Sequence, residues 1–399
     1  MTPTPHRYAV LQAGARMHYA VPALLAQAGA LAAFYTDLHS NHRLLRWLER
    51  LWPPSLQPKP LRRLLGRRLP QALPRRLVRD QPLASTTWAR QSERSDALVF
   101  ERACRERFGG ADAVYTNFIN NDLEVIRQAK QQGLHVVHEV IISADVGRVM
   151  LEERRRHPGI EPDGEAEAVV EAGIARDREK WALSNQVLVP SAYCWESSVA
   201  LGCDPAKLAL VPYGIPEHWF ELKPDPVPGR ILFVGQVGLR KGSHVLAAAC
   251  QQLRLHHQSF ECRVAGPCQV DITGPLFAGP TYLGQVPRSQ IQEEFRRADL
   301  FVLPTLAEGM AVVHLEAMAC GVPVITTPHC GSVVRNGVDG FIVPIRNAEL
   351  LAARMEQLLN DRNLRDQMAH SARARARDYT WKRYGERLST TLNLKSPAP

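Results

Sequence analysis

The chain is predicted to be an α/β protein of two doubly wound, Rossmann-like domains facing a cleft. Three observations predict this. Its 399 residues are about twice what one ordinary domain holds. Short apolar runs alternate with longer amphipathic ones, the signature of parallel strands joined by helices. An aperiodic stretch, Tyr213–Arg230, carries prolines at 216, 224, 226 and 228 and separates one such series from a second.

In the first series, Tyr8–Gln12 reads as a strand, His18–Ala28 as a helix and Leu31–Tyr35 as a strand. Trp88–Phe108 reads as helix, Ala113–Tyr115 as strand, Leu123–Gln131 as a helix stopped at Gly133, and His135–Val140 as strand. Glu165–Ala182 has the length of a long helix, and strands Val187–Val189 and Leu208–Val211 flank a helix at Ala192–Leu201. The second series runs Ile231–Val234, Ser243–Leu255, Glu261–Ala265, Thr281–Leu283, Ser289–Arg297, Leu300–Leu303, Met310–Cys320, Val322–Thr326 and Phe341–Val343. Helices at Ala348–Asn360, Asn363–Arg377 and Trp381–Leu392 close the chain. The expected domains are 1–222, with an insertion at 41–82, then 223–378, and a tail over 379–399 placed to pack back on the first domain.

Charge is unevenly spread. Between Arg43 and Arg79 lie ten arginines and Lys59 against one acid, Glu49, while the whole chain carries a net charge of +9. Leucines and tryptophans are interleaved with these arginines. Three readings stand: an Arg-rich insertion packing its leucines on its own domain, interfacial helices lying on an anionic membrane, and nucleic-acid binding. Nucleic acid is set aside as a partner, because no zinc finger, RNA-binding aromatic signature or helix-turn-helix pattern accompanies the charge. No run of about 18–20 apolar residues spans a bilayer, and Arg16 and His18 break the only candidate leader, so the expected location is cytoplasmic or peripheral on the inner face of the membrane. Eight scattered cysteines without a C-x-x-C pair are expected to be reduced thiols, and no metal site is expected.

Neither series carries G-x-G-x-x-G after its first strand, and no G-x-x-x-x-G-K-[ST] occurs, which excludes the common dinucleotide and P-loop classes. Instead a strand runs into Gly235-Gln236-Val237-Gly238-Leu239-Arg240-Lys241-Gly242. Glycine lets a phosphate approach the backbone, and an Arg-Lys pair at a helix start neutralises a diphosphate. A second block, Pro304 to Val324, places Glu308 and Gly309 on a loop, a helix start near Met310, and Glu316 six residues further, about 9 Å along that helix. Carboxylates beside a phosphate site suit sugar hydroxyls, for which they are strong acceptors.

The stretch Glu308–Glu316 resembles the E-x7-E motif of retaining glycosyltransferases of family 4, which have the GT-B fold. The flanks Glu316–Val324 and Gly337–Val343 are similar to that family, as are Val211–Ile215, Gly235 with Lys241-Gly242, Val264–Gly266 and Leu283–Pro287. The resemblance covers roughly residues 185–360 well and the first domain only in outline. It implies sugar transfer from a UDP-, GDP- or ADP-sugar to an acceptor hydroxyl with retention and without a metal. The implied acceptor is a saccharide or lipid-linked glycan in cell-envelope or exopolysaccharide synthesis. It further implies that Lys241, with Arg240 beside it, grips the diphosphate, with Gly235, Gln236 and Gly266 along the donor. Gln236 stands where the family usually has arginine. Met310, Ala311 and Val312 would offer backbone N–H groups, Glu316 would hold the ribose, and Gly284 to Val286 would lie along the base. Glu308 would hold the transferred sugar, and His138, near a strand end, would face it. Gly14, Arg16 and His18 would line the acceptor side. The competing readings are a non-catalytic nucleotide-sugar-binding partner subunit and an epimerase or phosphorylase of the same fold.

Overall fold

Two all-parallel sheets organise the chain, as seen in a computed structural model that describes residues 6–41, 45, 47, 65–82, 94–117, 122–162, 164–256 and 258–394. The first sheet contains β1 (Tyr8–Leu11), β2 (Leu31–Thr36), β3 (Val78–Asp80), β4 (Ala113–Thr116), β5 (His135–Glu139), β6 (Gln186–Val189) and β7 (Leu208–Leu210), in the order β3-β2-β1-β4-β5-β6-β7. The second contains β8 (Arg230–Val234), β9 (Glu261–Ala265), β10 (Thr281–Gly284), β11 (Leu300–Leu303), β12 (Val324–Thr326) and β13 (Gly340–Ile342), in the order β10-β9-β8-β11-β12-β13. Strands such as β1, β2, β4 and β11 are buried at every residue, because helices cover both faces of a parallel sheet. This matches the fold class read from the sequence.

The helices of the first unit are α1 (Ala20–Gln27), α2 (Ser95–Arg105), α3 (Asp122–Gln131), α4 (Val146–Arg156), α5 (Glu167–Leu183) and α6 (Ala192–Ala200). Those of the second are α7 (Ser243–Leu255), α8 (Arg288–Arg296), α9 (Val313–Ala319), α10 (Ala348–Asn360) and α11 (Arg362–Ala376), followed by α12 (Trp381–Thr391). Three elements differ from the sequence reading. Helix α4 is absent from it because Glu152 to Arg156 is an unbroken charged run and the whole helix buries only Met150 and Glu153. Strand β3, with its Arg and Asp, lies inside the basic segment and pairs Val78 with Phe34. Helix α9 begins at Val313 rather than near Met310.

The stretch between the units is not a free linker. Trp219 is fully buried, and its ring meets Phe295 of α8 edge-on at 5.4 Å. The N–H groups of Asp225 and Val227 donate to the carbonyls of Arg296 and Arg297. The chain then returns: α12 lies against the first unit, with Gly385 facing Leu24 and Gln186 Nε2 donating to the Thr391 carbonyl. In the basic segment, Leu69 and Leu73 join the core, Arg67 pairs with Asp37 at 2.5 Å, and Arg79 pairs with Glu106 at 3.4 Å. These residues pack on their own unit, whereas Arg43, Arg46, Arg50, Lys59, Arg62 and Arg63 lie outside the described residues. Among the described residues no helix is long and apolar enough to cross a membrane.

Candidate active site

In each sheet the strand order reverses beside the first strand, β1 or β8, so the loops leaving neighbouring strands diverge and open a crevice at their carboxyl ends. The segments at 12–19, 235–242 and 304–312 therefore gather where a ligand of such a sheet binds.

The glycines bring the second unit's loops together. A Cβ at Gly242, where φ is +69°, would lie 1.9 Å from the Pro304 carbonyl oxygen. One at Gly266 would lie 1.7 Å from the Gly235 carbonyl, and the Gly266 N–H donates to Gly284 O at 2.8 Å. With the loops in contact, the Arg240 carbonyl accepts from Leu306 N–H (2.8 Å) and Thr305 Oγ1 (3.0 Å). That registration sets Arg240 and Lys241 over the Glu308 carboxylate. Lys241 Nζ is 2.6 Å from Glu308 Oε1, and Arg240 Nη1 binds the same oxygen and the Ala307 carbonyl. Two cations on one carboxylate leave a surplus positive charge in a largely buried place, with Glu308 only 9% exposed. Gln236 turns outward and pairs with Gln269.

The other side of this loop is docked on the first unit. A Cβ on Gly309 would stand 2.0 Å from the Ile141 carbonyl oxygen. Ser143 N–H donates to Glu308 O at 3.3 Å, and Ser191 Oγ, which also caps α6, donates to Gly309 O at 2.6 Å. Glu308 thus sits at the junction of the two units.

Residues 310–312 make a turn, not a helix start. Ala311 N–H is spent on the Cys330 carbonyl at 3.1 Å, so it is not available to a phosphate as expected. Among the described residues no acceptor engages the N–H of Met310 or Val312, and Met310 Sδ accepts from Tyr213 N–H at 3.2 Å. His314, which the sequence reading passed over, holds the turn. Its Nδ1 donates to Ala311 O and its Nε2 accepts from Val333 N–H, one neutral tautomer serving both. Burial keeps it neutral, with its pKa lowered to about 4. Glu316 falls in the first turn of α9, and among the described residues no hydrogen bond or ion pair engages its carboxyl. Burial raises its pKa to about 7, and the nearby Arg288 opposes the rise. Gly284, the last residue of β10, and Val286, between β10 and α8, are half-buried.

In the first unit His138 lies on β5, buried beside α3. Side chains alternate along β5, and His138 takes the helix-facing side, with Nδ1 3.4 Å from Asp122 Oδ2 of α3. Burial there and the charge of Lys180 lower its pKa to about 3. Among the described residues no contact joins it to Glu308, Arg240 or Lys241. The side chain that points the other way is Glu139, which sequence reasoning missed. Its carboxylate accepts from Tyr115 OH (2.7 Å), Tyr213 OH (2.8 Å), Asn117 Nδ2 (2.9 Å) and Arg16 Nη2 (3.1 Å). Burial raises its pKa, but Arg16 and these donors outweigh that and hold it ionised. The signal available was a lone acid ending an apolar strand. Arg16 thus places its Nη2 on Glu139 and Tyr213. Gly14, at φ +70°, donates its N–H to Asp37 Oδ1 at 2.9 Å. Met17, His18 and Tyr19 follow with φ of 46°, 51° and 61°, three successive non-glycine residues in the left-handed region. Each such residue costs about 1 kcal/mol or more. The turn sets the His18 ring 6.0 Å from that of Trp381 of α12. Burial, and then Arg288, lower its pKa.

Residues 216–375 match the family model described as glycosyl transferases group 1. Over 197 residues the chain is 29% identical to the amylovoran biosynthesis glycosyltransferase AmsK of Erwinia amylovora, covering 45% of this chain and 48% of that protein. Over 190 residues it is 28% identical to the putative colanic acid biosynthesis glycosyltransferase WcaL of Salmonella typhimurium, covering 43% and 47%. The chain thus spans about half the length of these relatives. Among solved structures, Anabaena HepE in complex with UDP and glucose aligns over 97% of this chain and 99% of its own at 14% identity, with a TM-score of 0.64. The architecture they share is the GT-B fold.

Proposed function

We propose that the chain is a retaining glycosyltransferase that moves a sugar from a nucleotide-diphosphate sugar to an acceptor hydroxyl. The observation that carries this reading is the Arg240–Lys241 pair closed on Glu308 at the junction of the units. Without donor, the carboxylate holds both cations in place. With donor, the diphosphate takes the cations, and Glu308 turns its freed lone pairs to the sugar hydroxyls. Once so placed, the cations and the N–H groups of Met310 and Val312 stabilise the leaving diphosphate with no further reorganisation during the chemical step, and with no metal ion in that role. Its departing oxygen takes the acceptor proton on the same face, which gives retention. Glu316, in the first turn of α9, accepts from the ribose. AmsK and WcaL, named for exopolysaccharides, and HepE, bound to UDP and glucose, support a UDP-sugar donor and a saccharide or lipid-linked acceptor in envelope or exopolysaccharide synthesis. The acceptor is presented at an anionic membrane surface met by the Arg-rich segment between 43 and 79 through arginines other than Arg67 and Arg79, which pair with acids of the first unit.

Two variants test the assignment. Lys241→Ala is expected to weaken UDP binding by about tenfold or more, because a charge-assisted contact to phosphate is lost. Glu308→Gln is expected to lower transfer by roughly 10²–10³ while leaving UDP binding equal or tighter, since the cations lose their internal competitor. Full transfer by either variant contradicts the reading, and an inverted anomer in the NMR spectrum of the product contradicts retention.

A further inference from the structure

Away from the Glu308 loop, a second buried cluster joins the two units. Glu153 of α4 is fully buried, His157 follows it by one helical turn, and His244 is the second residue of α7. His244 Nε2 is 2.8 Å and His157 Nε2 3.6 Å from the same oxygen, Glu153 Oε1. One ligand atom from each residue lies within 4.8 Å of the others. The rings of His157 and His244 meet edge-on with centroids 4.8 Å apart. The second carboxylate oxygen is held by Arg346 Nε at 2.5 Å, and Arg346 Nη2 reaches Glu152 at 3.2 Å.

We propose that Glu153, His157 and His244 form a binding site for a divalent transition-metal ion, best fitted to Zn²⁺, that ties α4 of the first unit to the start of α7 in the second. The donor set is two imidazoles and one carboxylate, which zinc accepts with a fourth position left to water. Tetrahedral zinc with ligands at about 2.0–2.1 Å separates neighbouring donor atoms by about 3.3 Å, and the observed 2.8 and 3.6 Å bracket that value. Arg346 occupies only Oε2 and so orients the carboxylate with Oε1 toward the two rings, the role an outer partner plays in built metal sites. His157, with 29% of its side chain exposed, marks the solvent side of the cluster, from which the ion enters and water fills the fourth position. The Glu-x-x-x-His spacing sets two ligands on one face of α4, while the third comes from 91 residues beyond Glu153, so the chain order alone conceals the site.

The test uses the full chain, stripped of metal with a chelator and exchanged into buffer. Titration with Co²⁺ is expected to give one bound equivalent with visible absorption of four-coordinate character, displaced by Zn²⁺. Zn²⁺ is expected to raise Tm with saturation, because it binds only where both units are assembled. His157→Asn, checked for folding by circular dichroism, is expected to weaken Co²⁺ binding by about tenfold or more, since loss of even an outer partner costs that much. His256→Asn, which alters an exposed histidine paired with Glu356, is expected to bind as the parent does. Failure to bind one equivalent, or unchanged affinity in His157→Asn, overturns the proposal and leaves the cluster as a hydrogen-bonded strut.

Discussion

Glu316 shows how far burial alone can move a side chain's chemistry. Its carboxyl, ordinarily near 4.5, rises to about 7 because α9 buries it, with Arg288 in opposition. Between those values the folded protein binds a proton that the unfolded chain has released, so stability falls as pH rises from about 4.5 to about 7. Above 7 the folded state carries the full cost of a desolvated charge. If Glu316 accepts from a ribose as proposed, the ionised carboxylate is the better acceptor, so donor affinity is expected to rise over the same window. Glu316→Gln is therefore expected to be more stable than the parent at pH 8, by about 2 kcal/mol, and equal to it near pH 4, while binding UDP-sugar more weakly at pH 8. Urea unfolding at the two pH values and a donor titration check this. Equal stability at both would show that the carboxyl is not desolvated.

Loops of the second unit are held by close approach, and their elements show what a sequence can and cannot disclose. Gly309 has no room for a side chain because Ile141 of the first unit lies against it. Gly309→Ala is expected to push the Glu308 loop off its dock, costing about 1–3 kcal/mol and weakening donor binding with it. Denaturant unfolding and calorimetry read the two effects, and an unperturbed variant would show that the dock is soft. The ordered blocks around Gly235, Arg240-Lys241-Gly242 and Glu308 were legible because strand, glycine and charge follow one another along the chain. The strands of both sheets were legible for a related reason: burial on two faces demands unbroken apolar runs. The start of α9 was not, because a turn at Met310–Val312 depends on Cys330 and Val333, which approach only after folding. Nor was the Glu139 network, whose donors come from positions 16, 115, 117 and 213. Strand-end position marked out His138, yet the period of two along β5 turns Glu139, not His138, to that network. Helix α4 was also missed, since its charged half from Glu152 to Arg156 outweighs the short apolar run Val149–Leu151.

For the molecule as a whole, the two passages of the chain between units lie side by side. Ile215 N–H donates to Tyr379 O and Trp381 N–H to Ile215 O, both at 2.9 Å, so the outgoing and returning segments form one short parallel bridge. Any rotation of one unit on the other must act at this bridge, because Trp219 fixes the outgoing segment to the second unit and α12 fixes the returning one to the first. The far ends are joined by softer means: the Glu308–Gly309 dock on one side and the Glu153–His244–Arg346 cluster on another. Under the proposed transfer reaction this layout is expected to act as a hinge at the bridge and a clasp at the crevice, admitting donor and then excluding water. Gly214 sets the spacing of the hinge, since a Cβ there would lie 2.5 Å from the Thr380 carbonyl oxygen. Gly214→Ala is thus expected to part the two segments and lose at least one of the paired hydrogen bonds. The amides of Ile215 and Trp381 would then exchange with solvent about tenfold faster, corresponding to about 1.4 kcal/mol of easier local opening. Because a hinge governs both entry and closure, kcat and KM for sugar transfer are expected to change together. Hydrogen exchange read by mass spectrometry, with transfer kinetics on the same preparation, decides the matter: unaltered exchange at both amides would mean that the bridge is not the axis on which the units move.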